Sequence, residues 1–185
     1  MNPRAQIGIE RRNQIQVRKA FEGGLALDDP PSLRDFHLTC GDYMVFTMAR
    51  LHDQDQWIHD LVKQRVPADD PVHEMLAALD QRQDMSRAAT DKFERALEIC
   101  RAGGDDAAFK DAARDFVGIF GTMLLPRKNP FEPYTNKLFS EQDWIKVVGA
   151  TDDALAKEKD LYKRVQSLAP EGLDPAGFTA EHMPS

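Results

Sequence analysis

Apolar side chains recur every three or four positions through most of this 185-residue chain, the period of a helix with one buried face. The period-two alternation of strands is hardly visible. Ile7, Ile15, Val17 and Phe21 anchor a first helix from about Gln6 to Glu22, which Gly23-Gly24 ends. After a loop over 25–31, Ser32 with Asp35 three residues on forms a capping pair. From there Phe36, Cys40, Tyr43, Met44, Thr47, Leu51, Ile58 and Val62 repeat at threes, fours and sevens to about Arg65. Gly41 interrupts at a cost of about 1 kcal/mol, so one continuous helix of roughly 30 residues and ~45 Å is expected.

Asp70 as cap and Pro71 at the first helical position start the next helix, which runs through Leu76, Leu79, Phe93 and Leu97 to Gly103-Gly104. Asp105 or Asp106 starts another, with Phe109, Phe116 and Phe120, closed by Pro126. Three prolines between Pro126 and Lys137 predict an irregular loop. Ser140 with Asp143 caps a last long helix through Trp144, Val147, Leu155, Leu161 and Val165 to Leu168. The pattern predicts an all-α fold, an up-down helical bundle of four long helices plus a shorter N-terminal one. It reads as a single domain over 1–185: helix and loop in 1–31, bundle in 32–168, irregular arm in 169–185. With Phe46, Trp57 and Leu61 included, the apolar arc of 32–65 spans about 200°, against the ~100° that one core needs. That width implies either a homodimer interface or a helix buried on two sides.

Composition narrows the function classes. A net charge of −7 speaks against nucleic acid, whose binding rests on a basic surface. The short basic run at Arg11, Arg12, Arg18 and Lys19 reads as a solvated helix face. No apolar run approaches the ~20 residues of a membrane span, and the N-terminus has no secretory apolar stretch, so a cytoplasmic location is expected. Cys40 and Cys100 lie in apolar helical patterns without metal-finger spacing and read as free buried thiols. Glycine-rich phosphate loops, nucleophile elbows and zinc-protease motifs are absent from the sequence.

The densest chemistry is Leu51-His52-Asp53-Gln54-Asp55-Gln56-Trp57-Ile58-His59. His52, Asp55 and His59 are three and four residues apart, so they share one stripe beside the apolar face. Imidazole and carboxylate at the edge of a helix core suit a metal or proton-transfer site, or a plain polar margin in which each pairs with a neighbour. His37 lies on the same side but ~22 Å away. His37 with Cys40 has the spacing of a base and nucleophile, yet a cysteine on an apolar face is inert. His73 begins a helix and reads as exposed, and His182 falls in the tail. The proline loop carries Arg127, Lys128, Glu132 and Tyr134, suited to capping the preceding helix or walling a pocket for an anion.

The stretches Leu51 to Gln56 and Leu138-Phe139-Ser140-Glu141-Gln142-Asp143-Trp144 resemble the second-helix motif and the closing turn of the hemerythrin-like, cation-binding bundles, over roughly Ser32 to Val148. The resemblance implies a histidine ligand at His52 and a divalent metal, iron in that family. Its other ligand positions fall on Gln56, Gln81, Met85, Met123 and Arg127, so the implied di-iron set is reduced. Three readings stay open. One is a cation or small-ligand site at His52, Asp55 and His59, with His37. The second is a metal-free enzyme in which His52 or His59 is general base, with Arg127 or Tyr134 holding an acidic or oxygenated substrate. The third is a dimeric interaction module.

Overall fold

A computed structural model describes residues 2–27, 33–124 and 131–178, with 122–124 as backbone. The described residues are helical, without strands: α1 (Pro3–Leu25), α2 (Arg34–Arg65), α3 (Val72–Arg101), α4 (Asp106–Leu124), α5 (Glu132–Leu138), α6 (Glu141–Val148) and α7 (Asp152–Leu168), then a 3-10 turn at Pro175–Gly177. Ser32, Arg127, Lys128 and His182 lie outside the described residues.

Local chemistry sets the boundaries. Asn2 Oδ1 accepts from Arg4 N at 2.9 Å and Pro3 occupies the first turn, so α1 begins earlier than its apolar pattern. Asp70 Oδ1 accepts from Val72 N at 2.9 Å just ahead of α3, which starts one residue later than expected, with Pro71 at the cap position instead of inside the helix. Gly103, at φ +89°, turns the chain out of α3, and Asp105 Oδ1 caps α4 through the Ala107 and Ala108 amides. The Ser140–Asp143 capping box forms at α6, and Arg65 grips both Asp143 carboxylate oxygens at 2.8 Å.

The pattern and the structure differ at several further places. Gly23-Gly24 do not end the first helix, which runs through them to Leu25. Part of the expected proline loop is helical, because Pro133 sits in the first turn of α5, where its missing N–H is no loss. The expected helix over 140–168 is two helices. Gly149 at φ +53° ends α6, and Thr151 Oγ1 accepts from Ala154 N at 3.1 Å to start α7. The N-terminal helix is no accessory: at 23 residues it is longer than α4 at 19.

Helix α1 packs on α2 and α4, α2 on α3, and α3 on α4, closing a ring of contacts. The cross-links Asp42–Arg101, His52–Ser86 and His59–Asp80 run α3 antiparallel to α2. Outside this ring α5, α6 and α7 lie against α2. The wide apolar arc of α2 is therefore covered only in part within the chain: Leu61 is buried, Phe46 is half-buried and Trp57 stays 46% exposed. At one end the core holds Phe21, Phe36, Phe93, Phe109, Phe116 and Phe120; at the other, Ile58, Val62, Val72, Leu76, Phe131 and Val147 form a second cluster. The α1 backbone lies against the Phe36 ring of α2 at Gly24, where a Cβ would sit 2.7 Å from Phe36 Cε1. Helix α7 and the segment after it dock on α1 through Gln16, whose Oε1 accepts from Tyr162 OH of α7 at 2.8 Å and whose Nε2 donates to the Phe178 carbonyl at 3.0 Å.

Candidate functional site

The middle of α2 carries buried polar groups on two faces. On the face toward α3, the histidine stripe is divided among separate partners. His52, 4% exposed, meets Ser86 Oγ through Nε2 at 2.9 Å, and Ser86 Oγ reaches Met48 Sδ at 3.6 Å. His52 Nδ1 makes no hydrogen bond among the described residues. Asp55 turns to Arg11 of α1 at 3.6 Å. His59 is spanned by two carboxylates, Asp60 at Nδ1 (2.9 Å) and Asp80 at Nε2 (3.2 Å). Both ring nitrogens face a carboxylate, so a ligand at either one would have to displace Asp60 or Asp80.

The other expected site residues lie elsewhere. His37 is buried between the rings of Phe21 and Phe36, at centroid distances of 6.0 and 5.9 Å. Cys40 is fully buried, and burial pushes its thiol well above the usual range. His73 Nε2 meets the Pro67 carbonyl at 3.0 Å. Tyr134 OH donates to Asp70 Oδ1 at 3.0 Å, beside the second apolar cluster and away from His52. No group of three or more His, Cys, Asp or Glu side chains is arranged to hold a metal ion among the described residues.

Electrostatics separate His52 from Asp55. Burial, helped by Arg87 and opposed by Asp53 and Asp91, brings the His52 imidazole down to about 4, so it is neutral at pH 7. Burial, opposed by Arg11 and Arg82, pushes the Asp55 carboxyl up to about 6. The linkage signs are opposite. The His52 contribution to stability is present above pH 6.5 and is lost as pH falls toward 4. That of Asp55 is present below 3.8 and is lost as pH rises through 6. The two partly cancel in global unfolding, so a residue-specific NMR titration is the measurement. The His52 ring is expected to titrate near pH 4; a midpoint near 6.5 would mean a hydrated ring.

His52 lines a groove of about 820 Å³ floored by α2 and walled by α3 and by Lys157 and Leu161 of α7. Val45, Phe46 and Ala49 give it an apolar strip, with Lys157 Nζ 4.6 Å above the Phe46 ring. Arg101 is neutralised by Asp42 at 2.6 Å, whereas Arg87, Asp53, Asp91, Glu94 and Glu98 make no ion pair among the described residues.

The opposite face of α2 holds a buried layer that the histidine reading did not single out. Glu10 of α1, 2% exposed, accepts from Arg50 Nη2 (2.8 Å) and Gln6 Nε2 (3.0 Å) at Oε1, and from Gln54 Nε2 (2.9 Å) at Oε2. Glu158 of α7, 4% exposed, accepts from Tyr43 OH at 3.2 Å, and its Oε2 lies 3.8 Å from Arg50 Nε. The signal was in the spacing. Glu10, Gln14, Val17 and Phe21 occupy one face of α1, and Tyr43, Thr47, Arg50 and Gln54 follow the same four-three-four step on α2. Acids at core-facing positions of two helices call for a buried cation or a proton to offset their charge.

No protein-family model, curated protein or solved structure matches this chain.

Proposed function

We propose that the protein binds a small zwitterionic ligand in the groove bounded by α2, α3 and α7, with His52 as the neutral hydrogen-bond or proton acceptor at its floor. The observation that carries this is the state of His52: buried, uncharged at neutral pH, held at Nε2 by Ser86, and part of the groove lining. When the Ser86 hydroxyl hydrogen is directed at Met48 Sδ, Nε2 carries the ring proton and Nδ1 keeps its lone pair. Arg87, without an ion pair, suits an acidic end of the ligand. The row Asp91, Glu94 and Glu98, one turn apart on α3, suits a cationic end. The volume is that of ordinary small-molecule pockets, roughly 300–1,000 Å³.

In this reading Ser86, in place of Asp55, orients the histidine, and the binding role needs neither His59 nor Tyr134. The cation-site reading asks His52, Asp55 and His59 to share one ion, and their separate partners give it no support. Titration of an ω-amino acid such as 6-aminohexanoate, a linear diamine and a linear dicarboxylate, followed on the His52 ring resonances, tests the proposal. The amino acid is expected to bind most tightly and to lose at least tenfold in affinity in Arg87→Ala. If none of the three moves the His52 resonances, the proposal is wrong.

A further inference from the structure

We propose that Glu158 is a proton-operated latch that fixes α7 to α1 and α2. Two carboxylates, Glu10 and Glu158, share one guanidinium inside the protein. Glu10 is fully served: Arg50 and two amide donors engage both of its oxygens at 2.8–3.0 Å. That leaves Glu158 with the Tyr43 hydroxyl on Oε1 and only a 3.8 Å approach to Arg50 Nε on Oε2, which has no hydrogen bond. The titratable and charged groups facing it are Glu10 from α1 and Arg50 and Tyr43 from α2; the nearby Asp174 acts on Tyr162 instead. With both acids ionised the buried layer carries a net −1. One proton on Glu158 brings it to zero and removes the charge from the oxygen that no donor serves.

Burial, and then the charge of Glu10, raise the Glu158 carboxyl above its ordinary 4.5 against the opposing pull of Arg50 and Tyr43. Docked α7 therefore binds the proton more tightly than undocked α7. Docking is strongest below pH 4.5 and weakens as pH rises through the raised value, by up to tenfold for each pH unit in that window. Lys157 and Leu161, which wall the groove, lie on the same helix. The consequence for ligand binding rests on the groove reading, whereas the latch itself does not.

Hydrogen exchange of the α7 amides at pH 5 and pH 8, corrected for intrinsic rates, is the test, with the α3 amides as internal reference. In the native protein, α7 protection is expected to fall at pH 8 while α3 changes less; in Glu158→Gln it is expected to be the same at both pH values. Equal protection of native α7 at both pH values overturns the latch, as does an undiminished fall in the glutamine variant. A carbon-detected titration of Glu158 in the native protein gives a second reading that needs no variant. A midpoint above 4.5 supports the latch and an ordinary one sinks it, whether or not the groove binds a ligand.

Discussion

Arg50→Ala is expected to destabilise the protein by about 3–5 kcal/mol, the range for removing one partner of a buried ion pair. Its guanidinium is the one cation that the buried carboxylates Glu10 and Glu158 share, and its side chain is 12% exposed. Truncation leaves Glu10 with two amide donors and Glu158 with one hydroxyl, both 4% exposed or less. It also removes a hydrocarbon stem packed where α1, α2 and α7 meet. The measurement is the urea midpoint at constant slope near pH 7. A loss under about 1 kcal/mol would mean that water already serves these carboxylates. Lower pH should shrink the loss, because the proton on Glu158 removes one of the two charges that depend on Arg50.

Phe93→Ala is expected to cost a similar amount, about 3–5 kcal/mol, by a different route. The ring is fully buried, stacks on Phe116 at 4.5 Å and 12°, and lies 5.8 Å from Phe109 and 6.2 Å from Phe21. From α3 it reaches rings on α1 and α4, and its Cζ lies 3.2 Å from the Cβ position of Gly41 on α2. The cavity would open where all four ring helices meet and where aromatic neighbours on several elements cannot collapse together. Exposed Met85, 66% accessible on the same helix, is the control, and its alanine variant should change stability by less than about 0.5 kcal/mol. Nearly equal losses for the two variants would mean that the aromatic cluster is not the packed centre of the fold.

The two substitutions separate two kinds of cohesion along α2. The apolar clusters at its ends come from non-directional burial, which tolerates exchange of similar side chains. The polar layer between them depends on complete pairing, because a half-satisfied buried network costs more than an apolar one. Replacing Glu10, Arg50 and Glu158 together by apolar residues of similar volume is thus expected to be far less harmful than Arg50→Ala alone.

Much was legible along the chain. The apolar period marked the helices, Asp70, Ser140 with Asp143, and Gly103 marked ends that the structure uses, and Cys40 on the apolar face reads correctly as a buried thiol. These are local properties: period, cap and turn involve residues within four positions of each other. The division of 140–168 at Gly149 was also written locally, as a glycine followed two residues later by a threonine cap, but the apolar pattern continued across it and masked the break.

The partners of the histidine stripe were a different matter. Spacing put His52, Asp55 and His59 on one face of α2 correctly. Ser86, Arg11 and Asp80, which decide what each can do, come from α3 and α1, so the apparent trio is three separate pairings. Likewise the sequence carried Glu10, Arg50 and Glu158 at core-facing positions of three helices, yet only their packing joins them into one charged layer. The sequence by itself determined the long helical segments, several of their ends and which faces are apolar, but not α5 in the proline-rich stretch. Tertiary structure alone decided that α5, α6 and α7 lie against α2, burying Leu61 of its extra apolar arc and leaving Trp57 exposed, and which charge meets which. The physical reason is range: helix period and caps act over a few residues of one segment, whereas side-chain pairing and burial depend on which segments lie side by side.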